Sequence, residues 1–268
     1  MPTTHPIDIS WLDLFYAAVL ILISIGISSF QKLGLGRSLV IGAIRATLQL
    51  IAVGYILRWV FALDRWYVVV VVLLIMVAFA TQTITERLKG EKQQKASLRW
   101  ICAGAIFLGS VLTLAYVDTL VVPITPWYSP RYLIPLFGMI VSNSMNGAAL
   151  AAERLHAEIE ARRSEIESYL ALGASPQQAS ATCVSKALIA AMIPAVNSLA
   201  VVGVVSLPGM MTGQILAGAD PTLAVRYQLV VVFMLTAATA ITATTVVYWY
   251  RRQFFNAAEQ LLPRVECA

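Results

Sequence analysis

The sequence is short of histidine, of charge and of any nucleotide-binding motif, and each shortage removes a class of function. Two histidines, His5 and His156, and three scattered cysteines, Cys102, Cys183 and Cys267, form no metal, iron–sulfur or disulfide spacing. Neither H-E-x-x-H nor G-x-S-x-G occurs, so hydrolytic chemistry has little to stand on. There is no G-x-x-x-x-G-K-[ST] phosphate loop, and no polar stretch long enough to hold a nucleotide-binding domain. The first 31 residues contain neither Lys nor Arg, which argues against an ordinary cleaved signal peptide. Charged residues make up only 12% of the 268, against 59% hydrophobic, with a mean hydropathy of +0.77. A soluble domain carries about twice that share of charge. The chain therefore reads as an integral membrane protein. Its basic residues report topology first, and no nucleic-acid partner is expected.

What is present is apolar sequence in spans. Seven segments, near 11–30, 38–61, 66–84, 100–122, 132–152, 184–207 and 225–250, approach the roughly 20 residues that cross a bilayer. The expected fold is all-α and polytopic, with residues 1–268 forming one transmembrane domain. With the N-terminus outside, fourteen of the 19 basic residues fall on inner segments. Only Arg58, Arg65, Arg131 and Arg226 fall outside, and Arg45 lies within the second span. This bias predicts N-out and C-in, in the cell's inner (plasma) membrane. "YWYRRQFF", from Tyr248, adds an aromatic belt and paired arginines at the inner interface. Asp220-Pro221 predicts an N-cap and first helical residue for the last span.

The longest polar interruption is a loop at about 153–183. "AAERLHAEIEARRSEIE" continues the fifth span as a charged helix. Gly173 then suits the left-handed position after a helix end. Ser175-Pro176-Gln177-Gln178 reads as a capping box with proline at the first helical position. Ile166 and Leu170 share one helix face. The predicted local structure is a short helix, a tight turn and a helix that climbs back into the membrane. Two readings fit it. One is an amphipathic connector on the bilayer surface. The other is a rigid elbow that passes force from a cytoplasmic partner.

Polar groups within spans are expensive and therefore informative. Arg45 and Gln49 are four apart on the second span. Arg45 either snorkels or pairs with an acid such as Glu153, or the two residues line a path. Asn143, Met145 and Asn146 lie among small residues, as helix-packing glue or as path lining. Met210, Met211 and Gln214 precede Asp220 at the outer end. Methionines there are more often filler than ligands, and no metal-ligand set is assigned. Pro194 and Gly203 interrupt the sixth span, with Asn197 between them. Thr236, Thr239, Thr242, Thr244 and Thr245 in the last span read as packing residues. A retinal photoreceptor needs a lysine in that span, and it has none. A self-sufficient carrier or channel usually places acids within its spans. Here Asp13, Asp118 and Glu153 lie only near predicted ends.

"ESYLALGASPQQA", Glu167 to Ala179, resembles the cytoplasmic loop of ABC-transporter permeases. With "NSMNGAALAAERL" from Asn143, "LPGMMTGQILAGADP" from Leu207 and "IGAIRATLQLIAVGYIL" from Ile41, the chain resembles the FetB family over nearly its whole length. That family is the permease half of a bacterial iron exporter, and its plant relatives are linked to aluminium tolerance. The resemblance implies a homodimer that exports a metal ion, coupled to a separate cytoplasmic ABC ATPase. ATP and magnesium would be held by that ATPase and no cofactor by this chain. The coupling residues would be Glu165, Ile166, Tyr169, Leu170, Leu172, Gly173, Ser175 and Pro176. The transport path would draw on Arg45, Gln49, Asn143, Met145, Asn146, Asn197, Met210, Met211 and Gln214. Export of a sugar nucleotide, or an autonomous transporter or channel, is the alternative.

Overall fold

The computed structural model describes residues 10–32, 34–87, 92–123 and 125–262. Helices dominate: α1 Trp11–Phe30, α2 Gly36–Leu63, α3 Trp66–Arg87, α4 Lys92–Tyr116, α5 Pro130–Ala161, α6 Arg163–Ala171, α7 Pro176–Ala179, α8 Ala181–Val201, α9 Gly209–Leu216 and α10 Pro221–Arg251. Among the described residues β-structure is limited to two isolated bridges, Val202–Ser206 and Phe255–Leu261. Among the described residues six helices, α2, α3, α4, α5, α8 and α10, are long and apolar enough to cross a membrane. Within α1 a shorter apolar run, Tyr16–Phe30, accompanies them.

The bundle is organised around α5 and α10, which pack on each other and on α4 and α8, with α3 closing against α4 and α5. Small residues let the backbones approach. A Cβ added at Gly109 of α4 would lie 2.3 Å from the Thr242 hydroxyl of α10. One added at Gly147 of α5 would lie 2.6 Å from the Thr239 methyl. Thr242 is fully buried, and its Oγ1 donates to the Ala105 carbonyl at 3.4 Å. Thr239 and Thr242 are therefore the packing residues the sequence suggested. The start of α10 also forms as expected: Asp220 Oδ1 accepts from the backbone N–H groups of Thr222 (2.9 Å) and Leu223 (3.1 Å).

The helices α1 and α2 lie at the periphery and pack mainly on each other. Val60 is the one buried residue of α2 among those described. Most of the exposed surface of α2 is apolar, with Arg45 and Gln49 among the polar exceptions.

Two expectations are corrected. Gly203 does not interrupt a span: α8 ends at Val201, and Gly203 lies in the turn after it with φ +85°. Val202 still donates its N–H to the Ser198 carbonyl at 3.1 Å, but its ψ of 132° leaves the helical path, and the Gly203 N–H bonds to the Ser206 carbonyl at 2.9 Å. Nor does Arg45 pair with Glu153; both side chains are exposed and no ion pair joins them.

Candidate functional site

At one end of the bundle α5 runs beyond the membrane-length portion. Its 32 residues correspond to about 48 Å, against a hydrocarbon core of about 30 Å. The overhang carries Glu158, which is buried although charged. Its carboxylate meets Arg154 at 2.5 Å, Arg162 at 3.2 Å and Lys186 at 3.3 Å. Arg154 is on α5, Arg162 lies at the junction of α5 and α6, and Lys186 is on α8. One carboxylate thus ties three elements where the chain turns, and a buried charge persists only with such partners. Sequence reasoning missed Glu158. The signal was there in the four-residue spacing from Arg154 to Glu158 and from Glu158 to Arg162.

The elbow follows. At the end of α6 the Gly173 N–H donates to the Leu170 carbonyl and the Ala174 N–H to the Tyr169 carbonyl, both at 3.0 Å. Gly173 has φ +87°, the left-handed value that this termination requires. The restart is a capping box: the Ser175 N–H donates to Gln178 Oε1 at 2.9 Å, and the Gln178 N–H to Ser175 Oγ at 3.4 Å. Pro176 occupies the first turn of α7 and is buried, as is Ala179. Ser180 Oγ then donates to the Pro176 carbonyl at 2.6 Å and joins α7 to α8.

The eight residues read as a partner-coupling set divide into two kinds. Ile166 is 1% exposed, and Leu170 packs against the same core. With Pro176 they anchor the elbow to its own bundle. Glu165, Tyr169, Leu172 and Gly173 are exposed, and Ser175 is half-buried. Leu172 at the tip is 85% exposed, outside the candidate spans.

The C-terminal turn packs beside the elbow, an association that sequence reasoning missed. Arg163 donates from Nη2 to the Leu262 carbonyl at 2.6 Å, and the Leu262 N–H donates to the Phe254 carbonyl at 2.9 Å. A cleft of about 610 Å³ lies between Glu167, Leu170, Gly173 and Ala174 on one side and Ala258–Leu261 on the other.

The residues read as path-lining do not converge on one site. Arg45 and Gln49 are exposed on peripheral α2. Asn143 and Asn146 are exposed on α5, with Asn143 Nδ2 bonded to the Met139 carbonyl at 2.9 Å. Met145 is half-buried against the core, and Asn197 is exposed on α8. Met211 is half-buried on α9. Met210 and Gln214 do meet other polar groups. They line a cavity of about 340 Å³ at the end opposite the elbow, with Asp118, Arg131, Met139 and Tyr227. Among the described residues no group of three His, Cys, Asp or Glu side chains is placed to hold a metal.

The fold defines a multi-pass helical membrane protein with a rigid capped elbow at one end. Its sequence matches the family described as "Uncharacterised protein family (UPF0014)" over residues 11–255, and the chain belongs to that family. It is 40% identical to the UPF0014 membrane protein slr1647 of Synechocystis over 96% of this chain and 98% of the relative. It is 35% identical to the probable iron export permease protein FetB of Escherichia coli, over 93% and 94%. It is 32% identical to the protein ALUMINUM SENSITIVE 3 of Arabidopsis thaliana, over 96% and 95%. No solved structure matches the chain.

Proposed function

We propose that this chain is the membrane-spanning permease of an ATP-driven exporter that carries a metal ion, such as iron, out of the cytoplasm. α1 acts as a seventh span, the N-terminus faces outward and the C-terminus inward, and the protein works as a homodimer in the inner membrane. The observation that carries the reading is the elbow. A helix end closed by Gly173 and a restart fixed by Ser175 and Gln178 hold Tyr169 and Leu172 outward on a rigid stub. An exposed leucine outside the membrane suits a hydrophobic groove on another protein better than it suits water. The sequence contains no phosphate loop, so the energy comes from a separate ATPase that grips this stub. Family membership alongside a probable iron export permease supports the metal substrate.

The homodimer is supported by polar groups left on outer faces of the bundle. Arg45 and Gln49 of α2, Asn143 and Asn146 of α5 and Asn197 of α8 are exposed within helices of spanning length. Lipid solvates none of them well, whereas a second copy or a watered path between copies does.

The test is to co-express the chain with cytoplasmic ABC ATPases, purify through a tag on this chain and assay ATP hydrolysis with and without added metal ions. Leu172→Asp is expected to abolish association while the protein stays folded. If no ATPase co-purifies, and Leu172→Asp and Gly173→Pro behave as the parent does, the elbow is a surface connector and the permease reading falls.

A further inference from the structure

The polar groups at the end opposite the elbow play no part in gripping an ATPase. α4 finishes there in a wide turn, Val117–Val121, where the Val122 N–H donates to the Val117 carbonyl five residues back at 2.9 Å. Turns of this kind occur frequently at functional sites. Asp118 lies within this one. Its Oδ1 atom is buried and has no hydrogen-bond partner among the described residues. The same is true of Gln214 Oε1, on α9. Both side chains line the one cavity of about 340 Å³. Two buried oxygen acceptors without donors in the lining of one cavity are costly unless something positive or hydrogen-bond-donating meets them.

The rest of the lining narrows what that is. Met139 of α5 and Met210 of α9 contribute thioethers, and the remaining wall is mainly apolar. Arg131 also lines the cavity, but the residue is exposed and makes no ion pair with Asp118. A carboxylate and an amide oxygen favour a divalent cation, and nearby thioethers favour a transition metal over magnesium or calcium. One carboxylate makes a weak site, which suits an ion that must leave.

We propose that Asp118 and Gln214, flanked by Met139 and Met210, form a transient binding site for a divalent transition-metal cation at the end of the bundle opposite the elbow. The site deepens the exporter reading by marking where cargo pauses before release, and it rests on that reading only for this place in the route. Binding itself requires no ATPase, so the two ideas fail separately.

The experiment is equilibrium dialysis of Co²⁺ alone, and of Mg²⁺ alone, against the purified full chain in detergent micelles without any ATPase. The parent is expected to bind Co²⁺ saturably and more tightly than Mg²⁺. Asp118→Asn should weaken Co²⁺ binding by about tenfold or more, since charge count sets the affinity of such sites. Gln214→Glu, a swap of equal size, should tighten binding, a gain that misfolding cannot mimic. Met139→Leu with Met210→Leu should narrow the preference for Co²⁺ over Mg²⁺. Asp64→Asn, in the loop between α2 and α3, should bind as the parent does. The proposal is overturned if the parent shows no saturable Co²⁺ binding. It is equally overturned if Gln214→Glu, or a folded Asp118→Asn, binds as the parent does.

Discussion

Replacing Gly109 with alanine tests the central packing of the bundle. A new Cβ at this position sits 2.3 Å from Thr242 Oγ1, 3.3 Å from the Ala238 carbonyl oxygen and 3.4 Å from the Thr242 nitrogen. Comfortable contact for carbon begins at about 3.5 Å, so α4 and α10 must part by about 1 Å or Thr242 must turn away. Thr242 is β-branched and fully buried, with little rotamer freedom, and backbone atoms stand just behind its hydroxyl. Overpacking of this kind costs about 1–3 kcal/mol. Alanine also favours a helix over glycine by about 1 kcal/mol, so the clean quantity is a difference between matched substitutions. Gly26 and Gly54 are helical and have nothing within 4 Å of the added carbon. Gly109→Ala should therefore be about 1–3 kcal/mol less stable than Gly26→Ala or Gly54→Ala. Thermal unfolding in detergent should show a midpoint lower by about 2–4 °C for each kcal/mol. Adding Thr242→Ala to Gly109→Ala should recover part of the loss, because neighbours in contact are not additive. Equal midpoints for Gly109→Ala and Gly54→Ala would refute the close approach of α4 and α10.

Other perturbations follow from the elbow and the caps. Ser175→Ala removes the acceptor for the Gln178 N–H and should destabilise the elbow by about 1 kcal/mol, read as faster hydrogen exchange across residues 175–180. Gly173→Ala forces a side chain into φ +87° at about 1 kcal/mol, so limited proteolysis should cut the turn more readily. Glu158→Gln keeps the shape but leaves Arg154, Arg162 and Lys186 without their shared carboxylate. It should loosen the elbow without unfolding the spans, detectable as greater mobility of a spin label on Leu172. Hydrogen bonds from the Thr222 hydroxyl and the Leu223 N–H hold the Asp220 carboxyl below its usual range. Its stabilisation is then complete above the ordinary aspartate value of about 3.9 and is lost as pH falls through the lowered one. The stability gap between the parent and Asp220→Asn should accordingly close in acid.

The apolar runs alone determined that this chain is a helical membrane protein, because a backbone in lipid must satisfy its own hydrogen bonds. Local sequence also determined the elbow. A glycine with positive φ, a serine cap and a glutamine three residues later act within a few residues of one another, and each appears where it was expected. The threonines of α10 were legible as packing residues, but which glycines they meet was not, since Gly109 and Gly147 lie on other helices. Tertiary structure alone decided the rest. Ile166 and Pro176 turn inward while Tyr169 and Leu172 stay exposed, a division that composition does not carry. Arg163 reaches a carbonyl at Leu262, far along the chain. Asp118 looked like an ordinary acid near a span end. It gained meaning only in the fold, where it lines the same cavity as Gln214, nearly a hundred residues away, because proximity between distant residues is set by how helices pack.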